Sequence, residues 1–182
     1  RHQRDPRHGY FEGTPSPMKS PEKVNIVLFR ENVEDVYAGL DYPFDSSQAV
    51  GLRDWLQVNY PGEYAKMRFP ETSGLGIKPV SKDETIRIIR AAVDYAIRND
   101  RRKITLVHKG NIMKYTEGAF ARWAYSEAKQ TYPTTIYTQQ EYQQTLQENG
   151  AQAADIQLRS ALKSGKIYIN EILTDAMFER SI

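Results

Sequence analysis

Two periods of apolar residues run through the chain, and the places where one gives way to the other mark its elements. "VNIVLFR" (24–30) is a nearly continuous β-branched apolar run, the pattern of a strand buried on both faces and ending at Arg30. A helical period takes over after Ser81, which with Glu84 fits the S-x-x-E capping box. "ETIRIIRAAVDYAIRND" then sets Ile86, Ile89, Val93, Ala96 and Ile97 on one helical face. "KITLVHKG" (103–110) predicts a second buried strand with a charged exit, and "TEGAFARWAYSEAKQTY" (116–132) a helix packed through Phe120, Trp123, Ala124 and Ala128 and stopped by Pro133. "TTIYT" reads as a strand. The Gln- and Ala-rich residues 139–165 read as exposed helices with a thin buried stripe, "KIYIN" (166–170) as a strand, and "EILTDAMFERSI" as a helix with Ile172, Leu173, Ala176, Met177 and Ile182 on its apolar face.

Between the first strand and Ser81 the pattern is less regular. Residues 45–60 predict a short amphipathic helix carrying Val50, Trp55, Leu56 and Val58 and ending near Pro61-Gly62. Residues 65–81 predict two short antiparallel strands around a Ser-Gly turn. Strands alternating with helices argue for an α/β fold with an antiparallel excursion inside it.

Composition narrows the function without choosing it. The 182 residues suit one compact domain or a large piece of a bigger protein, with 40% apolar residues to build a core. A net charge of +2 gives no broad pull toward nucleic acid or anionic membrane. With no cysteine there is no disulfide, thiolate metal site or cysteine nucleophile, and the absence is compatible with a reducing compartment. No apolar run nears the roughly 20 residues a membrane-spanning helix needs, so the expected location is cytoplasmic. "RHQRDPRH" and the Pro/Gly-rich residues after it predict a basic extension over 1–12 leading into a loop.

Arg30 and Lys109 at strand ends, Asn111 two residues further and Tyr37 in "EDVYAG" together suggest anion recognition coupled to proton transfer. Arginine offers a planar fork to a carboxylate, lysine a point charge or base, and tyrosine a proton for a developing enolate. The same residues also allow a plainer reading, in which Tyr37 is one of twelve tyrosines packed on a core and Lys109 closes a strand.

"GTPSP" (13–17), "LFRENVEDVYAGLDY" (28–42), "RFPETSGLGIKPVS" (68–81) and "TLVHKGNIMKYTEGAFARWAY" (105–125) fall in order at a spacing that resembles the middle of bacterial NADP-dependent isocitrate dehydrogenase, one of the β-decarboxylating dehydrogenases. The alanine-rich segment and last strand are similar to one form of that family. The resemblance implies that Arg30 grips a carboxylate of isocitrate and that Tyr37 protonates the enolate left when carbon dioxide departs. It implies that Lys109 reaches a partner subunit's site to relay the hydroxyl proton, and that Asn111 lies near the nicotinamide and its ribose. The implied fold is the small α/β domain of the isocitrate/isopropylmalate dehydrogenase fold (13–34 and 82–182), with an antiparallel clasp over 35–81 and the large domain absent.

The resemblance also implies what to expect of cofactors and partners. The family uses NADP with Mg2+ or Mn2+, held largely by large-domain segments, so this chain alone is expected to bind neither and to turn over negligibly. The family's arginine ahead of "GTPSP" has no clear counterpart among "RDPRHGYFEG". Two functions stay open: a truncated isocitrate dehydrogenase or fragment keeping part of the isocitrate site, and a noncatalytic module pairing with itself or with a full-length dehydrogenase. The expected partners are a second copy through the clasp, a full-length isocitrate dehydrogenase, and isocitrate weakly at most. A nucleic-acid or membrane partner is not expected.

Overall fold

The computed structural model describes residues 25–180, and the basic extension, "GTPSP", Val24 and Ile182 lie outside them. The chain divides into two compact units, one of residues 32–79 and the other of the remainder.

The larger unit is a three-stranded parallel sheet with helices. Its strands are β3 (Lys103–His108), β4 (Ile136–Thr138) and β5 (Ile167–Leu173), in the order β3-β5-β4. Pairing runs from Lys103 opposite Tyr168 to His108 opposite Leu173, and from Ile136 opposite Ile167 to Thr138 opposite Ile169. Parallel neighbours need crossovers. Helix α4 (Glu117–Thr131) joins β3 to β4, and α5 (Gln139–Lys163) joins β4 to β5.

The core consists of Ile89, Val93 and Ala96 from α3 (Lys82–Arg98), Leu106 from β3, Ala124, Tyr125 and Ala128 from α4, and Ile136, Ile167 and Ile169. Each fully buried isoleucine contributes about 1.5–3 kcal/mol relative to exposure. Small residues on α4 let α3 and the sheet come close. The start of α3 is where the sequence puts it: Ser81 Oγ accepts the Glu84 N–H at 3.1 Å. Ile89, Val93 and Ala96 are buried as the helical period requires, whereas Ile97 is 47% exposed.

Two boundaries in this unit differ from the sequence pattern. Residues 25–30 form no strand: Ile26 and Leu28 are exposed, and the segment is anchored by Phe29 edge-on to Tyr95 and by Arg101 bonded to Asn25. A doubly buried strand needs neighbours to take its backbone groups, and among the described residues β3, β4 and β5 pair only with one another. The last strand runs on to Leu173, so Ile172 and Leu173 belong to the ladder with β3, and α6 (Thr174–Arg180) follows it. The residues after Thr138 form two helices, broken at Gly150, whose φ of 83° and ψ of 172° only glycine adopts readily. A full capping box of Thr138 and Glu141 starts the first of them.

The smaller unit contains β1 (Leu40–Tyr42), α1 (Ser47–Asn59), α2 (Pro61–Tyr64) and β2 (Leu75–Ile77). β1 and β2 pair antiparallel, Leu40 opposite Ile77 and Tyr42 opposite Leu75. The antiparallel partner of β2 is therefore residues 40–42, while Pro70–Thr72 turn as a 3-10 helix instead of extending. Val50, Trp55 and Val58 on α1 are exposed, and its buried residues are Ala49 and Arg53. Arg53 is tolerated inside because its Nη1 donates to the Phe44 carbonyl at 2.8 Å and the Ser73 carbonyl at 3.1 Å. One guanidinium thus stitches α1 to the loops on either side of it.

Candidate functional site

The exit of β3 is a knot of short backbone contacts. The Lys109 N–H donates to Glu117 Oε2 at 2.9 Å, and its carbonyl accepts from Ile112 at 3.2 Å and Met113 at 3.1 Å. The Gly118 N–H donates to Met113 O at 3.0 Å, bringing the start of α4 against the turn. Gly110 has to be glycine here. A Cβ on it would lie 2.8 Å from His108 Nδ1, 2.9 Å from Gly118 Cα and 3.0 Å from Gly118 N.

Strand alternation sends neighbouring side chains apart. Lys109 turns to α6, where its ammonium pairs with the Asp175 carboxylate. His108 turns inward and is 7% exposed. It borders a cavity of about 350 Å3 whose wall also includes Asn111, Arg122, Tyr125, Gln140 and Glu171. The His108 Nε2 stands 3.3 Å from Glu171 Oε2. The Tyr125 hydroxyl is buried without a hydrogen-bond partner among the described residues, and burial, then the Glu171 carboxylate and Tyr168, push its pKa well up. It stays a neutral phenol.

The sequence candidates fall into both units. Lys109 and Asn111 share the β3 exit, with Lys109 half-buried and Asn111 exposed. Arg30 is in the same unit and exposed, but on an irregular segment and not at a strand end; its neighbour Glu31 meets Arg87 Nη2 at 3.2 Å. Tyr37 belongs to the smaller unit and is 45% exposed, so it is not one of that unit's buried residues. It sits in a single 3-10 turn, Asp35–Ala38, entered at Asp35 with φ 61° and left at Gly39 with φ 65°. The Asp35 carboxylate steadies that entry, accepting the Val36 N–H at 2.6 Å and pairing with Lys78 at 2.9 Å.

Sequence reasoning missed Asp175, His108, Glu117 and Glu171. "TEG" at the start of α4 was the available signal for Glu117, since an acidic residue in a first turn often caps backbone donors. Asp175 and Glu171 come from the far end of the chain and are joined to the β3 exit only by the parallel pairing of β3 with β5.

Residues 7–178 match the isocitrate/isopropylmalate dehydrogenase family. The chain belongs to that family. The isocitrate dehydrogenase [NADP] of Staphylococcus aureus is 45% identical over 171 residues, which are 94% of this chain and 40% of the relative. That of Coxiella burnetii is 59% identical over 119 residues, 65% of this chain and 27% of its own. That of Helicobacter pylori is 52% identical over 124 residues, 68% of this chain and 29% of its own. The chain thus spans about two fifths of the length of the Staphylococcus aureus relative. The crystal structure of isocitrate dehydrogenase from Methylococcus capsulatus covers 81% of this chain at a TM-score of 0.46 and 24% identity, a looser likeness that adds nothing to the family match. Among the described residues no helix is long and apolar enough to cross a membrane.

Proposed function

We propose that this chain is the small-domain and clasp portion of an isocitrate dehydrogenase, holding its dimerisation surfaces and part of its isocitrate site. The parent reaction is isocitrate plus NADP+ to 2-oxoglutarate, carbon dioxide and NADPH. The observation that carries the reading is the β3 exit, which fixes Lys109 by its backbone and directs its ammonium to Asp175, beside an exposed Asn111.

In that reading Arg30 binds a substrate carboxylate through its guanidinium fork. Lys109 relays the hydroxyl proton, its ammonium oriented by Asp175. Tyr37 gives its proton to the carbon from which carbon dioxide has left, and the half-exposed hydroxyl in its clamped turn suits that task. Asn111 offers an exposed amide that fits the polar edge of a nicotinamide ribose; NADP, when bound, supplies the hydride acceptor. Among the described residues no three His, Asp or Glu side chains converge to hold a metal ion.

The second reading, a noncatalytic assembly module, is favoured by the smaller unit. Its exposed Trp55, Val58, Phe69 and Ile77 contrast with a single buried apolar residue, Ala49. A surface of that kind marks an interaction site, and a second copy of the clasp is the occupant proposed. The deciding measurement is the mass by light scattering, alone and mixed with a full-length isocitrate dehydrogenase, together with isocitrate titrated into both. Twice 21.0 kDa, falling to 21.0 kDa on replacing Phe69 and Ile77 by Glu, supports the clasp. Isocitrate binding weakened by Lys109→Met supports the site. A monomer that ignores both enzyme and isocitrate overturns both readings.

A further inference from the structure

We propose that His108 is a positioning residue whose neutral, Nε2-protonated ring closes the turn that presents Lys109 and Asn111, so that protonating the ring opens the turn. The inference rests on the reading above, in which those two residues belong to the isocitrate site.

The tautomer follows from the contacts. Gly110 N lies 3.0 Å from His108 Nδ1, and a peptide N–H can only donate. Nδ1 therefore carries the lone pair, and the proton of the neutral ring sits on Nε2, directed at Glu171 Oε2. The bond spans Lys109, whose own N–H and carbonyl are held by Glu117, Ile112 and Met113. The His108 contribution to this turn is an acceptor that a second ring proton abolishes. A second proton would turn Nδ1 into a donor facing a donor, and the Gly110 amide would have to move away. The space beside it is closed by Gly118, so the displacement has to be taken up by residues 109–113.

Charged and titratable groups either stand at this ring or hold the turn that it closes. Glu171 on β5 stands at Nε2; Arg122 and Tyr125 on α4 share the cavity wall; Glu117 opens α4; and the Lys109–Asp175 pair links the turn to α6.

The test uses the 15N-labelled 182-residue chain. Long-range 1H–15N spectra of the imidazole report the tautomer, and hydrogen exchange reports the Gly110 amide as the pH is lowered through the ring's titration. The expected result is an Nε2–H ring and Gly110 protection that falls about tenfold as the ring protonates, the scale of one lost hydrogen bond. His108→Asn places Oδ1 where Nδ1 stood and keeps the protection with a flat pH profile; His108→Gln places its amide near Nε2 and loses it at every pH. The Ile167 and Ile169 amides, remaining protected in both, separate an opened turn from an unfolded chain. An Nδ1–H tautomer, protection indifferent to ring titration, or equal protection in the two variants overturns the proposal. The tautomer and the titration need no variant, and none of these readouts needs isocitrate, so a failure of Lys109 as a substrate residue shows separately in the binding titration.

Discussion

Gly110→Ala sharply tests the packing at the β3 exit. The new Cβ would meet His108 Nδ1 at 2.8 Å and the Gly118 backbone at 2.9 and 3.0 Å, well inside the roughly 3.5 Å at which carbon atoms rest. The His108 ring can retreat only by leaving the Gly110 N–H and Glu171, and Gly118 is tied to Met113 by its own N–H. Overpacking of this kind costs about 1–3 kcal/mol, and the lost hydrogen bond about 0.5–1.5 kcal/mol more, giving about 2–4 kcal/mol together. The facing residue supplies the comparison. A Cβ on Gly118 would meet Arg122 Nη1 and Gly110 O at 3.4 Å, ordinary contact, and alanine in a helix gains about 0.5–1 kcal/mol over glycine. Gly118→Ala should therefore stay within about 1 kcal/mol of the parent. Urea unfolding followed by far-ultraviolet circular dichroism measures both. A Gly110→Ala midpoint equal to that of the parent, or equal losses in the two variants, would refute the described geometry.

Further outcomes follow from the same contacts. Gly150→Ala forces a side chain onto φ 83° and ψ 172° and should cost about 1–3 kcal/mol in urea although no atom lies near the new Cβ; a neutral change would mean the helix break can be straightened. Asp35 holds φ 61° while capping Val36, so Asp35→Asn, which tolerates that region and keeps the cap, should be about 1–2 kcal/mol more stable than Asp35→Val. Acid should weaken the larger unit through two carboxyls. The Glu127 pKa lies below its ordinary 4.5 because the Thr131 hydroxyl donates to it and Arg90 pairs with it, which together outweigh burial. Burial pushes Glu141 upward, but Lys129 and the Thr138 donors outweigh it and bring it below 4.5. Both titrate lower folded than unfolded, so their stabilisation is complete above about pH 4.5 and is lost as the pH falls through the lowered folded values. Urea midpoints from pH 7 to 3 should flatten in the Glu127→Gln, Glu141→Gln double variant; an unchanged slope would sink the assignment.

The larger unit's fold was more legible than its site. The period in "ETIRIIRAAVDYAIRND" predicts the buried Ile89, Val93 and Ala96 because one amphipathic stripe packed on a sheet has little freedom. The same reasoning fails on α1, where Val50, Trp55 and Val58 are exposed and Arg53 is buried. A pattern of apolar residues cannot say that a guanidinium has two carbonyls waiting for it. The run 24–30 misled for a related reason: apolar content shows that a segment can be buried, but a ladder also needs a neighbour with open backbone groups. At the β3 exit, Lys109 and Asn111 were visible as polar residues around a glycine. Their supports were not, because Glu171 and Asp175 arrive by the β3–β5 pairing, which leaves no local mark in the sequence.

That pairing must hold one register for the exit to work at all. Leu106 and His108 face inward on β3, so a slip of one residue would bury Lys109 and expose the histidine that braces its turn. Apolar packing resists the slip through Leu106, Ile167 and Ile169. A polar pair on the other face adds to it: Thr105 Oγ1 donates to Asn170 Oδ1 at 2.9 Å, and the two residues are opposite one another in the ladder. Such a cross-strand bond is worth about 0.2–1 kcal/mol, small against the core but opposed to the one-residue shift, which would place Thr105 on the other face. A double-mutant cycle of Thr105→Val and Asn170→Ala measures it. The coupling should fall in that range, and the single variants should raise exchange of the Leu106 and Val107 amides more than that of the Val93 amide in α3. Zero coupling, or a uniform rise in all three amides, would mean that the apolar face alone sets the register that delivers Lys109.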